Sequence, residues 1–441
     1  MKKLLYLLSL VIVLFSGVVT AEQWEGTIQL WDFPNGADVD IWGEELIKEF
    51  EEANPGVTIE FTKLTWGGGN QKIDVAVASG MLPDIVLQGT KMKYIEQGVL
   101  EDLTPYFTAE EIEDFYPAAL AGYSYKGGIY GWPWYLFPYH LYLNTDLFRE
   151  RGVALPENGQ WSYQEFVRKM QELTFDRDGD GEVDVYGFVY NVQPDFYDSW
   201  PIILSDGAKV FNQEMTEFTL DSAAGISGLQ KLIDLEHKYR IALPNSAGMN
   251  QGVQWAAYTT EQSVAATATG VWGIGAINSQ NKKLAEMIEE GEDTAGRKHF
   301  NLAVANYPIG NSGEPRSFVL NGGFAVFKQQ DQAKLAMIIK FLRYATSTQA
   351  QETVAPKFHG FVPSRSSVSA DQIYAHEQNM LLVIEMMETA MAWPPLIPDW
   401  DKIGEKIQRQ IQLACLGEIT AEEALKIADR EVTRILKRMK R

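Results

Sequence analysis

Between Gly127 and Asn144 the chain reads GGIYGWPWYLFPYHLYLN, with seven Phe, Trp or Tyr rings and no titratable cation except His140. Pro133 and Pro138 bar a helix here, because each removes a backbone donor and clashes with the preceding turn. An ordinary strand has no use for so many rings and is weakened by proline. An extended, broken backbone carrying large flat rings suits the lining of a cleft, with apolar faces for C–H groups and polar edges for hydroxyls. For any single ring the alternative is burial in a core or a domain seam. As a group they predict a recognition surface.

The N-terminus narrows where such a surface would work. Met1-Lys2-Lys3 is followed by an apolar run from Leu4 to Val19 and then Thr20-Ala21. That is the pattern of a signal peptide over residues 1–21, with Glu22 opening the mature chain in a periplasmic or extracytoplasmic location. A membrane anchor fits less well, since the run is short and Glu22, Trp24 and Glu25 follow at once. No cysteine lies near the junction, so no lipid anchor is expected. Cys415 is the single cysteine of the chain, which leaves no intrachain disulfide, and the fold must rest on its core. About 420 mature residues are too many for one core, and two domains are expected. The formal net charge is −21, and loss of Lys2 and Lys3 with the leader makes it more negative still. Such a surface repels nucleic acid and anionic membrane, so neither is an expected partner.

Strand and helix signals alternate along the first third. Thr27–Phe33 reads as a strand, and Asp40–Asn54 as a helix with Trp42, Leu46 and Phe50 on one face. Val57–Leu64 reads as a strand, Asn70–Ser79 as a helix and Asp84–Leu87 as a short apolar strand. This alternation predicts an α/β fold with a parallel sheet whose ligand loops sit at the strand carboxyl ends. The candidates there are Asp32 and Asn35 after the first strand, Trp66 after the second, and Gln88 and Lys91 after the third. Downstream, Ser162 to Glu165 is a capping box. Helices are expected over Ser222–Tyr239, Ser279–Glu290, Asp331–Ala345 and Trp400–Leu416, with a strand pair near Leu302–Pro308 and Gly323–Phe327. A break at Gly417 precedes a second capping box, Thr420 to Glu423, and an apolar stripe of Leu425, Ala428, Val432 and Ile435 that reads as packing.

Asp176, Asp178, Asp180, Glu182 and Asp184 begin like an EF-hand loop, with alternating carboxylates and a glycine at the sixth position. The twelfth position is Gly187 rather than a bidentate Glu. The loop is therefore either a structural Ca2+ site completed from elsewhere or a set of unmetallated Asx turns. No other cofactor is implied. Enzyme signatures are thin: His376-Glu377 lacks the second His of a zinc protease, Gly225-Ile226-Ser227-Gly228 is not a nucleophile elbow, and Gly67-Gly68-Gly69-Asn70 lacks a phosphate-loop Lys. The glycines of Gly270–Gly275 match no dinucleotide fingerprint and suggest tight turns or close backbone approach.

Read in order, TIQLWDF, EEANPGV, ASGMLPDIV, EQGVLEDLTPYF, the aromatic segment, DGDGEVDVYGF, SWPIILSDGA, ATGVWGIGA, VANYPIG, NGGFAVFK, KFLRYATS and LGEITAEEAL resemble the extracellular solute-binding proteins (family 1) of ABC transporters, the class that includes maltose-binding protein. The likeness runs over essentially the whole mature chain. It implies a two-lobe, type II-like fold with discontinuous domains joined by hinge strands: residues 22–136 plus 323–358 in the N-terminal lobe, 137–322 plus 359–441 in the C-terminal lobe. It also implies a sugar, oligosaccharide or polyol held in the interlobe cleft, a membrane permease as partner, and a monomer. Gly131-Trp132-Pro133 and Asn321-Gly322-Gly323 are the hinge candidates, with Asn321 a candidate ligand contact. By position the resemblance adds Trp134, Phe137, Trp200, Trp272, Trp400 and Arg365 to the pocket. At Gln88 and Lys91 the chain departs from the aromatic and the carboxylate of maltose-binding protein. The competing expectations are a secreted glycoside hydrolase, which needs two carboxylates flanking a glycosidic bond, and a binder of a phosphorylated polyol, which needs cations such as Lys91 or Arg365.

Overall fold

The structure is a computed structural model that describes residues 24–33, 42–65, 67–193, 196–294, 298–356, 362–387 and 390–439. The leader, Asn35 and Trp66 lie outside these residues. Twelve strands are described: β1 (Gly26–Asp32), β2 (Val57–Lys63), β3 (Ile85–Leu87), β4 (Ser124–Tyr125), β5 (Gly128–Ile129), β6 (Trp132–Asn144), β7 (Tyr186–Val189), β8 (Val264–Gly270), β9 (Leu302–Ala305), β10 (Ser317–Val326), β11 (Val362–Pro363) and β12 (Ala390–Ala392). β4 and β5 form a hairpin, and the rest join one sheet in the order β2-β1-β3-β10-β6-β8-β7, with β11 and β9 on β6 and β12 on β10.

The aromatic segment is the middle of that sheet. Most of its rings sit on a continuous 13-residue strand, β6; Pro138 falls between the β11 and β8 pairings, and Pro133 lies opposite Gly323 at the register shift. The first half of β6, from Trp132 to Tyr139, pairs with Phe318–Phe324 of β10 on one side and, at Tyr135 and Leu136, with β11 on the other. The second half, from Tyr139 to Asn144, pairs with β8 and β9. β10 runs antiparallel beside β6 through the same crossing, and the register slips between Gly322 and Gly323. Two long strands therefore belong to both lobes at once. A third crossing comes from β12, which lies parallel to Ser317–Val319 and delivers the chain to Trp393.

Each lobe has its own parallel strands. β1 pairs parallel with β2 and with β3, and β7 pairs parallel with β8. Alternate residues serve two covered faces. Ile85, Leu87, Phe324 and Val326 enter one core of the first lobe, whereas Val86, Ala325 and Phe327 enter another. In the second lobe Leu141 and Leu143 enter the main core while Tyr142 faces a smaller one. Helices on both faces make the short near-continuous apolar strands stable, as expected of a doubly wound sheet.

Several expected elements are found with shifted bounds. The helix before Asn54 is regular only over Lys48–Ala53, preceded by a wider-pitch turn from Trp42 to Ile47. Ser162 Oγ accepts from Glu165 N at 3.1 Å, capping the helix Tyr163–Glu172. Thr420 and Glu423 cap each other reciprocally, at 3.0 Å and 3.2 Å. Two expectations are corrected. The helix expected from Ser279 begins at Trp272 and runs to Glu289, drawing the glycines of that segment into its first turn. A Cβ on Gly273 would stand 2.9 Å from Thr269 and 3.1 Å from Tyr142, so close packing of the helix start, rather than a turn, explains that glycine. The strands near Leu302 and Gly323 exist but do not pair with each other, because β6 lies between them.

Gly322 marks the crossing. A Cβ there would lie 1.7 Å from the Tyr135 ring, a rigid group held in a strand. Gly322→Ala is therefore expected to lower stability by about 1–3 kcal/mol through overpacking, read as a lower urea midpoint at unchanged slope; an unchanged midpoint would contradict the close contact.

Candidate functional site

The topology puts the carboxyl ends of both sets of parallel strands at the crossing. β3 is antiparallel to β10, with Leu87 opposite Phe324, so its end points toward Gly322 and the lobe junction. Gln88 N donates to Gly323 O at 2.8 Å just beyond it. In the other lobe β8 is antiparallel to β6 and ends with Gly270 opposite Tyr139. The carboxyl ends of β1, β3, β7 and β8 therefore point toward the cleft between lobes, the place where ligands bind in open α/β sheets.

On the first-lobe side, Asp32 ends β1 and is 1% exposed. Gln88 adopts a left-handed φ of 58° and its Nε2 donates to the Tyr135 hydroxyl at 2.8 Å. Phe137 is half-buried, edge-on to Tyr135 at 4.8 Å. Asn321 is half-buried and donates to Ala118 O at 3.1 Å. Lys91 is half-buried just before the helix Met92–Glu96. Against the opposing effect of burial, the Lys93 and Tyr94 contacts and the charges of Lys93 and Lys91 hold the Asp74 carboxyl below its usual range.

The second-lobe side is an aromatic wall. Tyr139 stacks on Phe318 with centroids 4.4 Å apart. Trp272 is half-buried at the head of its helix, 4.8 Å from Trp255, and a Cβ on Gly270 would touch both Trp272 and Tyr139. Trp393 packs against Tyr197 at 5.6 Å and Trp400 at 5.4 Å. Neither indole N–H of Trp393 or Trp400 reaches a hydrogen-bond acceptor among the described residues. Beside Tyr197 lies Asp198, 6% exposed, whose carboxyl burial pushes up to about 7. Burial also raises the Tyr139 hydroxyl, with the nearby Asp198 charge adding to it. His140, one residue along β6, is fully buried, and burial depresses it to about 3.

The expected site residues thus divide. Asp32, Gln88, Lys91, Phe137, Asn321 and Trp272 lie at the crossing or beside it, whereas Trp400 is buried in the main core of the second lobe, packed on Trp393 and Tyr197. Trp134 is 3% exposed inside the first-lobe core, packed on Tyr135 and Phe324. Trp200 is a structural ring rather than an open wall: it is 1% exposed and its Nε1 donates to Gln408 at 2.8 Å. Arg365 is also corrected, because its guanidinium is buried, pairs with Asp114 at 2.9 Å and donates to Thr346 O at 2.6 Å. Tyr197, in the aromatic run before Trp200 that the resemblance likens to a segment of stacking rings, is half-buried on this wall, and Tyr139 and Trp393 stand beside it although neither was expected there. The strand-end rule used on the first lobe, applied to β7, would have pointed to the Asn191–Ser199 loop.

The acidic loop lies elsewhere in the second lobe. Asp176, Asp178 and Asp184 bring carboxylate oxygens within 4.8 Å of one another, while Asp180 and Glu182 stand outside that group. Asp176 accepts from Gly179 N at 2.6 Å and Gly181 N at 2.7 Å, and Asp184 accepts from Arg177 N at 2.6 Å. These contacts form a run of Asx-type turns. They leave lone pairs on three carboxylates, part of the six to eight oxygens that Ca2+ takes.

The sequence pattern of the bacterial extracellular solute-binding proteins matches residues 35–352, and the chain belongs to that family. An arabinooligosaccharide-binding protein of Halalkalibacterium halodurans is 24% identical over 372 residues, covering 82% of this chain and 77% of that protein. Among solved structures, an ABC transporter solute-binding protein of Thermotoga lettingae bound with α-D-tagatose is 23% identical at a TM-score of 0.73, covering 93% of this chain and 99% of its own. The cyclic α-maltosyl-1,6-maltose binding protein of Arthrobacter globiformis is 18% identical at a TM-score of 0.75, covering 94% and 100%. The two-lobe periplasmic binding protein fold is common to them.

Proposed function

We propose that the protein captures a sugar, oligosaccharide or polyol between its lobes and delivers it to the permease of an ABC importer, without chemical change to the ligand. The carrying observation is the second-lobe wall, where Tyr139, Tyr197 and Trp272 remain half-buried beside aromatic neighbours at the carboxyl ends of β7 and β8. Partly open rings there can stack on the apolar face of a pyranose while their polar edges reach its hydroxyls. Family membership and the sugar ligands of the relatives support the same reading. Contacts with both lobes at once would favour the closed arrangement of the hinge strands.

A thermal-shift screen of the mature protein with mono- and oligosaccharides, polyols and sugar phosphates tests this reading. A ligand that binds the native state raises Tm by mass action. A neutral sugar is expected to do so, without product formation over hours of incubation. Trp272→Ala should then cost about 1–3 kcal/mol of affinity. Hydrolysis of an oligosaccharide, or a shift with no neutral sugar or polyol, would contradict the proposal.

Any Ca2+ held by Asp176, Asp178 and Asp184 belongs to lobe stability and not to ligand capture in this scheme. Millimolar Ca2+ should raise Tm relative to chelator, Asp178→Asn should remove the rise, and sugar affinity should stay the same. An equal Tm with Ca2+ and with chelator would exclude the metal role and leave the turns as the loop's support.

A further inference from the structure

We infer that the lobes also meet at a charged contact on the rim of the cleft, where Asp401 of the second lobe closes on Lys93 of the first and makes capture of an uncharged ligand sensitive to salt. This rests on the sugar-binding reading above, since capture is what closes the contact. Residues 393–400 are shared between the lobes. Trp393, Ile397 and Trp400 enter the main core of the second lobe. The half-buried Leu396 packs instead against the first-lobe core that holds Met92, Tyr94 and Ile95. Residues 394–398 also share a cavity of about 590 Å³ with Glu96, the last residue of the helix Met92–Glu96. That helix follows the carboxyl end of β3, which points to the lobe junction. The segment leading into Asp401 is therefore held against the first lobe before any ligand arrives.

The charges on the two sides attract. Lys93 Nζ pairs with Asp74 at 2.5 Å, and the Tyr94 hydroxyl donates to the same carboxylate at 2.6 Å. The charge of Lys91 also reaches Asp74, so two ammonium groups stand against one carboxylate here. Glu96 lies near Lys126 instead. Opposite them, Asp401 is exposed in the first turn of its helix, and its side chain has no hydrogen bond or ion pair among the described residues. The flanking Asp399 and Lys402 pair with each other at 2.6 Å. Burial and the Asp74 contact keep the Tyr94 hydroxyl protonated, and the Asp401 charge adds to that, so Asp401 is within electrostatic reach of the first lobe. An ammonium has three donors, so Lys93 can keep Asp74 and take Asp401 as the lobes approach. Both groups are partly exposed, which makes the pair weak and screened by salt. A plainer role for Asp401 is to favour the positive end of its helix dipole. That role would move Tm, but it would not couple ligand affinity to salt or to Lys93.

The test is titration calorimetry on the mature protein with maltotriose, tagatose and mannitol, at about 0.01 M and about 1 M NaCl. Over that range the screening length falls from about 30 Å to about 3 Å. For a ligand that binds, wild-type affinity should be lower by about two- to fivefold at high salt, the range of a surface ion pair. Asp401→Asn and Lys93→Gln should each bring the low-salt affinity down to that level and remove the salt effect. The double variant should be no weaker than either single one, because the two side chains share one interaction. Tm measurements confirm that each variant is folded. A wild-type affinity that does not fall with salt, the same fall in Asp401→Asn, or losses that add in the double variant would overturn the contact and leave sugar binding intact. Binding of none of the three ligands by wild type would overturn the sugar reading and this inference together.

Discussion

The antiparallel pairing of β6 with β10 is the contact on which the two lobes depend. Both strands pass through the crossing, so the lobes share a hydrogen-bonded ladder as well as a contact surface. Pro133 and Pro138 contribute no donors to it, and the register slips at Gly322/Gly323, where a side chain would strike Tyr135. The ladder is thus continuous enough to fix which ends of the sheets face each other, and irregular enough to bend. Because β3 and β8 both run antiparallel to these strands, their carboxyl ends are forced toward the same gap. The location of the cleft follows from that pairing.

The two sides of the gap differ in chemistry. The first lobe offers Asp32 and Gln88 on tight strand exits, whereas the second offers aromatic surface in depth. Rings that stack on one another bury large areas and hold their neighbours still, and here they surround polar atoms that the protein leaves without partners. Among the described residues, the indole N–H groups of Trp393 and Trp400 are the polar atoms in question. Both indoles belong to the main core of the second lobe, close to the half-buried Tyr197, so each unpaired donor is a cost in folding.

Much of the frame was legible in the sequence because it depends on local chemistry. Period-two and helical patterns gave the strands and helices, and the Thr420–Glu423 cap is realised in both of its hydrogen bonds. The strand-end rule brought Asp32 and Gln88 to the crossing. What failed depends on contacts between distant residues. A tryptophan does not declare which face of a strand it will take, so Trp134 and Trp200 read as cleft rings but pack inside. Arg365 read as a candidate for phosphate until its partner, Asp114, emerged 251 positions away.

If the β6–β10 ladder is a hinge and the gap is the ligand site, filling the gap must draw the lobes together. Small-angle X-ray scattering of the mature protein, with and without a saturating neutral sugar, measures this in solution. The account predicts a smaller radius of gyration in the bound sample at unchanged mass. An identical radius of gyration at proven saturation would contradict it.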